Sequence, residues 1–232
     1  MELRLLAIRH GATAYSEERR YAGSTDVPLS PRGRRQCAAV AQALGPRHVA
    51  AVYASPLARA RESAAPIAAA QGVEITIESD FREMSFGDWE GMTRDEVERR
   101  FADDYKVWRT EPERFARPGG ETLSAVSERV MRGLGELRAT HHGETVVLVS
   151  HAVVTRLIVL QALGLGPERL WSVDASLAGI SEIEYRDDWT TLHRVNTIAH
   201  LEAEADSRSA TGFPGRSERS GGLGGPPRPP MS

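Results

Sequence analysis

The chain has 232 residues and a formal charge of -3, and its cationic charge is carried almost wholly by arginine, because Lys106 is the only lysine. A chain of this length can bury a full core, and the absence of a basic surplus argues against nucleic acid or an anionic membrane as partner, so any anion site has to be built locally. Cys37 is the sole cysteine, which excludes an intramolecular disulfide and a cysteine metal cluster and suits a reducing compartment. With no apolar run of membrane-spanning length and no apolar leader, a cytoplasmic location is expected.

Taken in chain order, short apolar runs bounded by turn residues predict strands over residues 3–8, 49–54, 74–77, 145–150, 181–185 and 192–196. Ser30-Pro31 and Ser55-Pro56 each put a hydroxyl N-cap before a proline, which predicts helix starts at both places. Leu123, Val126, Val130, Leu134 and Leu137 recur at helical spacing, so residues 122–139 are expected to form an amphipathic helix packed on the sheet. A further apolar helix is expected after His151, ending near Gly164. The alternation implies a three-layer α/β/α sandwich with a mostly parallel central sheet. One domain is expected over 1–201, with the middle segment 92–118 as a cap over its pocket. Residues 202–232 are expected to be a disordered tail, since 11 of the 21 residues from 212 to 232 are glycine or proline.

In open α/β sheets ligands bind beyond the carboxyl ends of the strands. The first strand runs into Arg9-His10-Gly11, the second into Ser55-Pro56-Leu57-Ala58-Arg59, the third into Asp80-Phe81-Arg82-Glu83 and the fourth into Ser150-His151-Ala152. Two histidines, two arginines and a carboxylate thus share one rim. Phosphoryl transfer needs a nucleophile, cations on the equatorial oxygens and an acid for the leaving oxygen. His10 is the candidate nucleophile, attacking through a neutral ring nitrogen while its other nitrogen donates to a backbone carbonyl. Arg9, Arg59 and a protonated His151 are expected to hold the phosphoryl oxygens, Gly11 to let the backbone approach them, and Glu83 to exchange protons with the leaving oxygen and with water. Taken singly, each of these residues reads as an ordinary buried or solvated side chain; their common placement carries the argument.

Other phosphate chemistries lack their residues. No Gly-Lys-Ser/Thr loop exists, Cys37 is not followed six residues later by arginine, and no two aspartates lie two apart. Histidines at metal-ligand spacing on a helix are missing too, so a metal-independent histidine mechanism with no cofactor is expected. His141-His142 before Gly143 reads as a helix C-terminal signal.

These residues resemble the histidine phosphatase superfamily, which includes cofactor-dependent phosphoglycerate mutases and α-ribazole phosphatases. The resemblance runs through Arg9-His10-Gly11-Ala12-Thr13, Gly23-Ser24-Thr25-Asp26-Val27-Pro28-Leu29-Ser30 with Gly33, Ser55-Pro56-Leu57-Ala58-Arg59-Ala60, Arg82-Glu83, Phe86-Gly87-Asp88-Trp89-Glu90-Gly91, Gly119-Gly120-Glu121-Thr122 and Val149-Ser150-His151. It implies a phosphoglycerate mutase-like fold, phosphorylation of His10, a phosphate pocket of Arg9, Arg59 and His151, and Glu83 as proton donor. It also implies substrate contacts at Gly11, Ser16, Ala22, Gly23 and Ala152, with Ser16 standing where relatives place an asparagine and Ala152 where glycine is common. The middle segment lacks the proline-rich run of the mutases, and Arg94, Arg99, Arg100, Trp108, Arg109, Arg114 and Arg117 within it are candidates for remote substrate contacts.

The expected activity is therefore hydrolysis of small phosphate monoesters, α-ribazole phosphate or sugar and glycerate phosphates, by the phosphatase branch. A cofactor-dependent phosphoglycerate mutase is the alternative, and a non-catalytic phosphate-binding module comes third. The expected partner is a small phosphorylated metabolite, with a homodimer left open.

Overall fold

Strand β1 (Leu3–Arg9) sends Leu3, Leu5 and Ala7 into one core and Leu6 and Ile8 into the other, the alternation of a strand buried on both faces. The computed structural model that shows this describes residues 2–45 and 47–201; the tail expected over 202–232 lies outside them. Strands β2 (Ala51–Ala54), β3 (Ile75–Ile77), β4 (Glu144–Ser150), β5 (Ile180–Tyr185) and β6 (Thr190–Thr197) complete a six-stranded sheet of order β3-β2-β4-β1-β5-β6. The first four in that order run parallel, and β5 and β6 are antiparallel additions at one edge.

The helices are α1 (Ala14–Glu17), α2 (Pro31–Leu44), α3 (Ala58–Gln71), α4 (Arg94–Arg100), α5 (Ala102–Thr110), α6 (Leu123–Thr140) and α7 (Ala152–Ala162). Helices α2 and α3 bury Val40, Leu44, Ala64 and Ile67 with Leu6, Val147 and Val149. Helices α6 and α7 bury Val126, Val130, Leu134 and Leu157 with Leu5, Val146 and Leu148. The result is the expected three-layer sandwich. Among the described residues no helix is long and apolar enough to cross a membrane.

Each expected strand is present, with ends displaced by no more than two residues. The helix start at Ser30 is as expected, since its hydroxyl accepts from the Gly33 amide at 3.2 Å. The start at Ser55 is not. Helix α3 begins at Ala58 after Leu57, with no side-chain cap, because the Ser55 hydroxyl is taken by His151 Nε2 at 2.7 Å. That serine belongs to the site.

Helix α2 approaches the chain after β1 more closely than any side chain permits: a Cβ on Gly33 would lie 2.0 Å from the Ala12 carbonyl oxygen. Gly135 in α6 faces open space. Gly33→Ala should therefore lower the unfolding free energy by about 2 to 3 kcal/mol through backbone overlap, while Gly135→Ala should raise it by about 0.5 to 1 kcal/mol through helix propensity. Urea denaturation of both variants checks the contrast.

Candidate active site

Parallel pairing sets Arg9 of β1 level with Ser150 of β4, and the His10 amide donates to the Ser150 carbonyl at 2.9 Å. His10 and His151 therefore leave adjacent strand ends side by side, their ring centroids 5.2 Å apart. Strand β2 pairs with β4 through Ala54 and Val149, which brings Ser55, and with it the start of α3 and Arg59, to the same rim.

His10 Nδ1 lies 2.7 Å from the Gly11 carbonyl oxygen. A carbonyl can only accept, so Nδ1 carries the proton and Nε2 keeps its lone pair on a ring that lines the cavity. Burial, then the charges of Arg59 and Arg9, push the His10 pKa well below its ordinary value. The imidazole is neutral at neutral pH, as a nucleophile must be.

His151 is fully buried. Its Nδ1 accepts from Arg59 Nε at 3.3 Å, which leaves the proton on Nε2 to donate to Ser55 Oγ. Burial, followed by the charges of Arg59 and His10, lowers its pKa well below the ordinary range. The expected protonated His151 is thus corrected: among these cations the ring is neutral, both nitrogens are engaged, and it backs Arg59 from behind the cavity wall.

Arg59 is 1 % exposed, and beyond His151 it donates to the Thr25 carbonyl at 2.8 Å and the Gly23 carbonyl at 2.6 Å. Gly23 adopts a φ of +50°, and a Cβ there would lie 2.1 Å from Glu90 Oε1. Glu90 ties the turn down by accepting from the amides and hydroxyls of Ser24 and Thr25. Arg9 donates to the Ala175 carbonyl at 2.7 Å. Its Nε is buried without a hydrogen-bond partner among the described residues, and burial together with the charge of Arg156 brings its pKa down to about 10. Gly11 has another reason to be glycine than the expected one: its amide donates to Ser63 Oγ at 3.1 Å, and a Cβ would lie 2.6 Å from the Gly33 carbonyl.

Glu83 reaches the cavity with Oε1 accepting from the Met84 amide at 2.9 Å and Oε2 from the Val153 amide at 3.4 Å. The loop that carries it is held by a side chain the sequence reading passed over. Arg129 of α6, 5 % exposed, donates to the carbonyls of Asp80 at 2.7 Å, Arg82 at 2.6 Å and Glu83 at 3.2 Å. Glu121 pairs with that guanidinium at 3.0 Å and accepts from the Ser85 amide. Ser150 Oγ fixes the Phe81 carbonyl from the other side.

The cavity wall includes Ser16, Ala22, Gly23 and Ala152 among the expected substrate contacts, but not Gly11. The Ser16 hydroxyl is already engaged with Thr13, donating to its carbonyl at 2.8 Å and accepting from its amide at 2.9 Å. Of the middle segment, Arg94, Trp108 and Arg109 reach the wall. Arg99, Arg100, Arg114 and Arg117 do not: Arg117 bridges Asp88 and Asp104, Arg114 pairs with Glu111, and Arg100 packs over Phe101. Arg156 was missed. It sits within the apolar run of α7, where an unexplained charge was the available signal.

The model for the histidine phosphatase superfamily (branch 1) matches residues 5–198. Phosphoserine phosphatase 1 of Hydrogenobacter thermophilus is 34% identical over 199 residues, 86% of this chain and 94% of that protein. The adenosylcobalamin/alpha-ribazole phosphatase of Escherichia coli is 28% identical over 197 residues, 85% of this chain and 97% of the relative. The structure of Bacillus stearothermophilus YhfR superposes with a TM-score of 0.81 at 28% identity, covering 86% of this chain and 99% of that one.

Since both histidines are held below their ordinary pKa, long-range proton–nitrogen NMR at pH 6 should find the His10 and His151 rings in neutral form, with the Nδ1–H tautomer at His10 and Nε2–H at His151. The sign follows for stability: the unfolded chain binds these protons first, so the two sites make the fold less stable as pH drops below about 6.5. Ring nitrogens titrating near 6.5 would contradict the assignment.

Proposed function

The chain belongs to the histidine phosphatase superfamily, and from that premise we propose that it is a metal-independent phosphatase hydrolysing small phosphate monoesters through a phosphohistidine on His10. The observation that carries the reading is the His10 ring: its Nδ1–H is pinned to the Gly11 carbonyl, so the lone pair of Nε2 serves the cavity that Arg9, Arg59 and Glu83 line.

The Nε2 lone pair attacks phosphorus and the bond to the ester oxygen breaks, while that oxygen takes a proton from Glu83. The phosphorylated imidazole carries positive charge, which its Nδ1–H shares with the Gly11 carbonyl. Glu83, now a carboxylate, accepts a proton from water as the water oxygen attacks phosphorus. The P–N bond breaks, phosphate leaves, and neutral His10 is restored. Arg9 and Arg59 stabilise charge on the equatorial oxygens from positions fixed before substrate arrives, which avoids reorganisation in the transition state. His151 acts through Arg59, holding its Nε edge from behind the cavity wall. The 92–118 segment, with Arg94, Trp108 and Arg109 on the wall, serves as cap and selects the alcohol portion of the ester.

Phosphate release from a panel of monoesters in the presence of a chelator tests the reading. Turnover should survive chelation and fall to background in His10→Ala. If 3-phosphoglycerate were isomerised to 2-phosphoglycerate and no ester released phosphate, the chain would be a mutase. Silence in both assays would leave a binding module.

Glu83 matters most where the leaving oxygen is a poor one. Glu83→Gln should slow an alkyl phosphate such as glycerol 3-phosphate by roughly 10²- to 10⁴-fold and p-nitrophenyl phosphate, whose leaving oxygen needs no proton, much less. Arg129→Gln should reproduce that leaving-group dependence at smaller amplitude because it loosens the loop of Glu83. A uniform loss across leaving groups would assign Arg129 to folding alone.

A further inference from the structure

Among the described residues, seven arginines and a single carboxylate, Glu83, face the cavity, and a phosphoryl group brings at most two negative charges. Some of the excess is spoken for. Arg20 pairs with Glu18 and Glu96, and Arg9 and Arg59 are the cations the phosphoryl group itself would meet. Arg9, Arg94 and Arg156 all line the cavity and repel one another: each of Arg94 and Arg156 lowers the pKa of Arg9, and Arg94 lowers that of Arg156. Crowded cations in a half-buried wall cost stability unless an anion joins them.

Arg156 is built as a fixed ligand rather than a mobile surface charge. It is 8 % exposed. Its Nε donates to the Val173 carbonyl at 3.0 Å, its Nη2 to Asp174 Oδ1 at 3.3 Å, and its guanidinium lies 5.1 Å from the centroid of the Trp171 ring. Asp174 is held in turn by the Ala175 amide, Ser176 Oγ and Asn196 Nδ2. These contacts use the Nε edge of the guanidinium. None of these contacts uses Nη1, and Arg156 lines the cavity. The chemistry proposed above places no role on this residue, and Asp174 only partly offsets its charge.

We propose that Arg156, together with Arg94, forms a second anion subsite beside the phosphoryl pocket, and that the substrate is a phosphate monoester bearing a carboxylate. A planar carboxylate matches the remaining fork of one guanidinium with paired N–H···O bonds. A second phosphate dianion calls for a larger set of free donors, since Arg9 and Arg59 serve the first. The subsite rests on the phosphatase reading for its place in catalysis, though not for its existence.

Matched substrate pairs test it on the purified chain. O-phosphoserine against O-phosphoethanolamine, and 3-phosphoglycerate against glycerol 3-phosphate, differ chiefly by the carboxylate. The expected result is a kcat/KM ratio of about 10 or more in favour of the carboxylate member, set mainly by KM, in keeping with roughly 1.5 to 3 kcal/mol for hydrogen bonds to a charged group. Arg156→Gln should bring that ratio close to one. Arg94→Gln should lower it without removing a buried group. Equal rates within both pairs in the wild-type chain overturn the proposal, as does an Arg156→Gln loss that is the same for both members. A preference for a bisphosphate over every phosphorylated carboxylate also overturns it. If no ester is hydrolysed, the phosphatase reading fails separately, and calorimetric binding of phosphoserine against phosphoethanolamine to His10→Ala still decides the subsite.

Discussion

Parallel pairing at the centre of the sheet sets Arg9 level with Ser150, and the residues that follow on both strands leave it together. Every other part of the site is placed relative to that register. A slip of one residue would turn Arg9 and Ser150 to the opposite face and separate His10 from His151. Burial opposes such a slip strongly, because Leu5 and Leu6, like Leu148 and Val149, serve different cores. The packing that stabilises the sandwich is thus also what aligns the two imidazoles.

Having brought cations together, the fold has to keep them there. Arg59 and Arg9 are held by main-chain carbonyls at Gly23, Thr25 and Ala175, acceptors that carry no net charge. A carboxylate in their place would neutralise the pocket and compete with a phosphoryl group. Carbonyls fix geometry while leaving the positive potential available to a ligand. The same potential, added to burial, keeps His10 neutral, so a single electrostatic arrangement favours an anion in the cavity and leaves the imidazole its lone pair. Glu83 is managed differently: Arg129 grips the carbonyls of its loop and Glu121 absorbs the charge of Arg129, so the bracing cation adds little to the field at the cavity.

The strands and the polar residues at their ends were legible in the sequence because strand burial, strand length and the position of polar residues after a strand are local properties. Arg9, His10, Arg59 and Glu83 could be found in that way. What escaped depends on contacts distant in sequence. Ser55 looks like a helix cap beside Pro56, yet its hydroxyl answers to His151, 96 residues away. The charge of His151 could not be read without knowing that its Nδ1 faces Arg59. Gly11 suggested an approach of backbone to ligand, whereas the close approach is to Gly33. Arg129 lies beside the apolar stripe of α6 and resembles any solvated arginine until its three carbonyl partners are seen.

Arg156 escaped for a different reason, one that bears on how such sites are built. It lies in an eleven-residue helix whose residues from Val153 to Leu160 are all buried, and a helix of that kind reads as core. A charged residue persists in such a segment only if its charge is used or paired. Asp174 pairs it in part, from a loop whose carbonyls also hold Arg9 and Arg156. That shared loop couples Arg9 to Arg156, since displacing residues 173–175 moves both guanidinium groups. Arg9 and Arg156 are for that reason mechanically linked, since both guanidinium groups are anchored to neighbouring carbonyls of one loop.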